Sequence, residues 1–238
     1  MKRIVVVAIV LCLAMLAVPS AVAQSLGPKV IKPDSVAFGR TYSEWSAAWQ
    51  QWALSIPVAH HPLFDNGDCS VGQSGPVWFL GGKFCAINTP GCGTNNVVRS
   101  CSVPRGKALY IPIMNAEWSV LEMNDPKFQI ADLRSNAAIN MDGAADLTFE
   151  IDGAAIPHLQ DRFRVQSTAF VFTLPDDNLF NAVGEGPYTG GSYFPGVDDG
   201  VYVMLAPLPA GPHTIHFHGS FPVWQFTLDI TYYLTVGK

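Results

Sequence analysis

Val201-Tyr202-Val203-Met204-Leu205, Pro207-Leu208-Pro209-Ala210-Gly211, His213-Thr214-Ile215-His216-Phe217-His218 and the run from Phe226 to Val236 are read first, because they decide the fold. Short apolar runs separated by proline and glycine are the pattern of strands joined by turns. Side chains alternate along a strand. His216 and His218 therefore share one face with Thr214, while Ile215 and Phe217 point the other way, into a core. Working outward, Val77 to Leu80, Val97 to Val103, Lys107 to Ile113 and Asp146 to Ile151 read the same way. Asp152-Gly153 is a hairpin turn pattern. Arg162 to Leu174 is one long strand or two short ones. Roughly eight short strands without βαβ alternation predict a mainly β fold, an antiparallel β-sandwich or jelly-roll-like domain.

Two accessory α-helices complete the expectation. One spans about 41–55: Thr41 and Glu44 fit a capping box, and Pro57 stops the helix. Tyr42, Trp45, Trp49 and Trp52 fall on one face of it. That stripe reads as buried apolar area more than as a sugar-stacking platform. The other spans about 126–141, with Asp125 as N-cap, Pro126 as first helical residue and Gly143 beyond its end. Phe180 to Gly200 is rich in Gly and Pro and reads as a long loop. Tyr188, Tyr193 and Phe194 in it are the ligand-binding candidates, because loops on a rigid scaffold often carry binding.

Residues 1–23 read as a secretory signal peptide: Lys2-Arg3, an apolar run from Ile4 to Val18, and Ala21-Val22-Ala23 as a cleavage site. Residues 24–238 then form a single exported domain, periplasmic or extracellular, with no further apolar run long enough to span a membrane. Removing Lys2 and Arg3 from the formal charge of −5 leaves −7. An acidic balance argues against nucleic acid and anionic membrane as partners. Four cysteines remain: Cys69, Cys85, Cys92 and Cys101. An even number in an exported chain predicts two disulfides, read as Cys69–Cys101 with Cys85–Cys92 nested inside.

The words Tyr42-Ser43-Glu44-Trp45-Ser46 with Trp49 and Trp52, Gly72 to Leu80, Val103 to Leu109, Leu208 to Ile215 and Asp229-Ile230-Thr231-Tyr232 together resemble a group of exported bacterial proteins. The resemblance covers most of the mature chain and implies one co-inherited unit. It implies no activity, cofactor or catalytic residue.

The first function expectation is an exported binding or structural module, with a glycan or envelope component as partner. The alternative is a secreted metal-dependent enzyme. His216 and His218 would supply two imidazoles to Zn or Cu, and His60, His61 or Asp65 would complete the set. His216-Phe217-His218-Gly219 is similar to a copper-ligand motif of multicopper oxidases, here without their further His motifs. No cofactor is required by the sequence. Asp198-Asp199-Gly200 reads as one of several Asx-rich turns. Glu44, Glu117 and Glu122 are the glutamates that could pair with an Asp for glycosidase-type acid–base chemistry.

Overall fold

The computed structural model describes residues 30–84, 96–123 and 125–237. Cys85 and Cys92 lie outside the described residues, as does the expected signal peptide. In chain order the elements begin with β1 (Val30–Ile31), α1 (Tyr42–Ser55) and β2 (Val77–Phe79). Next come β3 (Asn96–Val103), β4 (Ala108–Ser119), α2 (Ile130–Asp142), β5 (Ala145–Ile151) and β6 (Ala154–Ala155). Then follow α3 (Leu159–Phe163), β7 (Arg164–Gln166), β8 (Phe170–Leu174) and α4 (Leu179–Val183). β9 (Gly191–Leu205), β10 (Gly211–Phe221) and β11 (Phe226–Val236) close the chain.

The fold is mainly β, as the strand pattern predicts. One sheet is ordered β1-β9-β4-β2, with β7 and β8 sharing the edge of β9 that β1 begins; the other is ordered β3-β11-β10-β5-β6. Most pairs are antiparallel, but β2 runs parallel to β4 and β3 runs parallel to β11. Leu109, Ile111 and Val203 of the first sheet meet Ile215, Phe217 and Ile230 of the second in one buried cluster. Tyr110, Tyr202 and Met204, on the opposite face of the first sheet, pack under α1. That sheet is thus covered on both sides. This is why β4 and the end of β9 read as continuous apolar runs, whereas β10 alternates.

α1 is held where its sequence predicts. Glu44 N–H donates to Thr41 Oγ1, and Thr41 N–H donates to Glu44 Oε2 at 2.8 Å. A cap of this kind contributes ~1 kcal/mol. Tyr42, Trp45, Trp49 and Trp52 are all buried. Burial of each such ring contributes roughly 1.5–3 kcal/mol, so the packed face outweighs the cap. Glu44 is thereby a cap partner and no part of a carboxylate pair. Cys69 and Cys101 form a disulfide that ties the segment after α1 to β3.

Three local expectations are corrected. α2 starts at Ile130, not Pro126: Lys127 N–H donates to the Asp125 side chain in a turn, and Gln129 with Asp132 makes the capping box. Arg162 belongs to the short helix α3, and the chain turns extended only at Arg164. The segment from Phe180 to Gly200 is largely ordered as α4 and the first two-thirds of β9. Its glycines mark close approach more than turns. A Cβ at Gly196 would sit 2.7 Å from the Phe170 ring, and one at Gly200 would sit 2.6 Å from Asn115 and from Tyr202.

Candidate functional site

β10 presents His216 and His218 together on the outer face of the second sheet, both half-buried. His216 Nε2 is 2.7 Å from Asp229 Oδ1. The residues expected to complete a metal set do not join them. His60 is exposed. His61 is fully buried beside Trp52, Phe64 and Phe84. Its Nδ1 accepts from Leu63 N–H at 3.1 Å, so the hydrogen is on Nε2, which donates to Ala53 O at 2.9 Å. Burial pushes the ring down to about 4, and both nitrogens are committed. Asp65 pairs with Arg99 at 2.7 Å and Lys83 at 3.1 Å. Burial alone would raise it, but the two cations hold its carboxyl below the usual aspartate range. Among the described residues, no group of three or more His, Cys, Asp or Glu is placed to hold a metal ion.

The loop aromatics also divide. Tyr188 packs edge-on to Phe180 and donates its hydroxyl to Leu121 O at 2.9 Å. Tyr193 stacks on Phe172 and donates to Thr189 O at 2.7 Å. Both rings lie against a core cluster, and only Phe194, 54% accessible, stands out to solvent.

A different place gathers chemistry. At one end of the first sheet, a cavity of about 530 Å³ opens between the end of β4, α1, α4 and the turn at Pro222–Trp224. Trp118, Phe180, Phe221 and Trp224 give it aromatic walls, and Trp224 is 53% accessible. Glu117, Glu122 and Glu185 line the same space. The strand geometry sets the first of these: Asn115 and Glu117 are two apart on β4, so both face α1. Glu122 is set by the turn after β4. Ser119 donates to Glu122 Oε2 from its N–H at 2.8 Å and its hydroxyl at 2.6 Å. Glu185 follows α4 and sits at the rim.

Electrostatics make these glutamates unusual. Burial, then the neighbouring Glu122, push Glu117 well above the ordinary glutamate value. Burial also raises Glu122, against the hydrogen bonds from Ser119. The two carboxyls are close enough to act on each other. A neighbouring like charge disfavours the ionised form of a buried carboxyl. Glu185 is raised by burial and by Glu122. Glu117 Oε1 is out of reach of solvent and has no hydrogen-bond partner. Such an atom costs roughly 1–3 kcal/mol, and a native structure rarely keeps one without a reason.

Beneath the cavity floor lies Asp198, directly opposite Glu117 across the β4–β9 ladder. Its Oδ1 accepts from Gln50 at 2.7 Å and Asn115 at 3.2 Å. Its Oδ2 accepts from Ser46 at 2.5 Å and Tyr202 at 2.7 Å. Burial pushes it up to about 6, against those four hydrogen bonds. Asp199 points to the other face and takes a two-pronged contact from Arg164, at 2.9 and 3.0 Å. Asp198 and Asp199 are therefore strand residues, not the turn their Asx-Asx-Gly sequence suggests.

No family model and no curated protein matches the chain. Two solved structures show a faint likeness. One is from the complex of PbICP-C with falcipain-2, at 13% identity and a TM-score of 0.27, over 66% of this chain and 98% of the other. The second is the cysteine protease inhibitor EhICP2 from Entamoeba histolytica, at 16% identity and a TM-score of 0.20, over 60% of this chain and 99% of the other. At such TM-scores neither likeness bears on the site.

Proposed function

We propose that this is an exported ligand-binding protein whose site is the cavity at the end of the first sheet. The observation that carries this reading is a roughly 530 Å³ space with aromatic walls, on which Glu117, Glu122 and Glu185 converge. That volume falls within the usual range for small-molecule sites, about 300–1,000 Å³, and aromatic walls with a few converging polar groups are their common lining. Export is supported by the Cys69–Cys101 disulfide, which is favoured in oxidising compartments. No helix among the described residues is long and apolar enough to cross a membrane. A glycosidase reading is less well supported. It needs one carboxyl that stays ionised as base or nucleophile, whereas burial raises Glu117, Glu122 and Glu185 alike.

A ligand-observed NMR screen of small polar and aromatic compounds, mono- and disaccharides included, tests the reading. It is run on the mature protein and on Val183→Trp, which fills the cavity from α4. Compounds that bind the parent and are lost in the variant support the cavity. Binding that survives in the variant, or a screen without a single binder, contradicts it.

A further inference from the structure

We propose that the cavity takes an organic cation, an ammonium, amidinium or guanidinium group on an apolar body, whose N–H groups bridge the carboxyls of Glu117 and Glu122. This rests on the reading of the cavity as a ligand site. Three observations favour a cation over other ligands.

The first is the charge of the wall. Glu117, Glu122 and Glu185 face the space, and Asp198 lies behind Glu117. Tyr188 is close enough to feel all three glutamates. Lys83 is the cationic side chain on the lining, and its Nζ is spent on Asp65. An anion would meet repulsion with no unpaired cation to hold it. The second concerns donors. Gln50 and Asn115, two amides of the lining, already donate to Asp198. Beside them Glu117 and Glu122 present carboxyl oxygens as acceptors. A neutral polyol could donate to them but could not offset two adjacent charges, whereas an opposite charge favours the ionised form of both. The third is the walls. Trp118 and Trp224 suit the apolar body and the face of a cation.

Entry of the cation forms N–H···O bonds to both carboxylates, and a proton that burial keeps on Glu117 leaves to solvent. Binding near neutral pH therefore releases up to one proton per ligand. The experiment uses isothermal titration calorimetry on the full mature chain with three cations and their neutral isosteres: benzamidinium against benzamide, phenethylammonium against phenethyl alcohol, choline against 3,3-dimethylbutanol. At least one cation is expected to bind tenfold or more tightly than its isostere. Runs at pH 7 in buffers of different ionisation enthalpy should show the proton released. The preference should fall below threefold in Glu117→Gln/Glu122→Gln, while Trp224→Ala weakens cation and isostere alike. Should the double variant fail to fold, the parent at pH 4 serves instead, since protonated carboxyls lose the preference. Isosteres that bind as well as the cations overturn the cation inference and leave the site. A cation preference that persists in the double variant, or in the parent at pH 4, overturns the role of the pair. Failure of all six probes, with Val183→Trp indistinguishable from the parent in the NMR screen, overturns both readings.

Discussion

Asp198 and Glu117 stand opposite each other on neighbouring strands, both on the α1 side of the sheet, yet they are held in opposite ways. Asp198 spends both oxygens on four donors from α1, β4 and β9. Glu117 has a buried oxygen to which no N–H or O–H group donates. Burial is common to both, so burial alone does not mark a site. The completeness of the hydrogen bonding does: Asp198 is a fastener between helix and sheet, and Glu117 is an acceptor awaiting a donor.

The largest expected effect breaks the fastener. Asp198→Ala leaves three buried donors and the half-buried Asn115 amide unpaired at roughly 1–3 kcal/mol each, softened by relaxation and water, for a loss of about 3–5 kcal/mol. Urea unfolding of the variant checks it. A loss under 1 kcal/mol would mean the network is not structural. Removing the disulfide in Cys69→Ser/Cys101→Ser opens a link across 32 residues. Chain entropy puts the cost at about 3–4 kcal/mol. The cavity glutamates should keep their titration behaviour in that variant, which separates general stability from the site.

Glu117→Gln sharpens the contrast by its sign. Glu117 holds its proton above the value it has unfolded, so the unfolded chain loses the proton first as pH rises and unfolding is increasingly favoured. The glutamine lacks this penalty. The variant should match the parent near pH 4 and exceed it in melting temperature at pH 8. The difference between the two proteins is the quantity to read. In the parent alone His61 works the other way, its contribution being lost as pH falls from 6.5 towards about 4. A gap that is constant with pH would contradict the assignment. The smallest effect belongs to the outer face. His216→Ala/His218→Ala removes a half-exposed pair with Asp229, worth ~0.2–1 kcal/mol. Probe binding in the cavity should be unchanged.

The mainly β fold, α1 and its buried aromatic face were legible, because period and caps are local properties. So was the Cys69–Cys101 pairing, from an even cysteine count and a turn sequence, Thr89-Pro90-Gly91, that favours nesting over crossing. The course of 180–200 was not, because glycine serves both turns and close approach, and only the Phe170 and Tyr202 rings tell which. The site was half legible. Glu117 and Glu122 could be named as carboxylates, but the partner expected for either was an Asp, and nothing in the sequence brings the two together. Glu185 was hidden in the glycine-rich segment, and no sequence pattern marks it. His216 and His218 drew the eye through strand alternation, which places them correctly on one face but says nothing about a third partner. The cavity itself joins β4, two helices and the turn at Pro222, so it exists only at the tertiary level.

The central claim is that Glu117 keeps a proton against Glu122 in the folded protein. Carbon-13 NMR of the glutamate side-chain carboxyls across a pH titration tests it directly, with Glu117→Gln to assign the resonance. The account predicts that Glu117 and Glu122 both titrate above the ordinary glutamate value, Glu117 by the larger margin. Glu117 ionising at or below 4.5, as a free glutamate does, would contradict it.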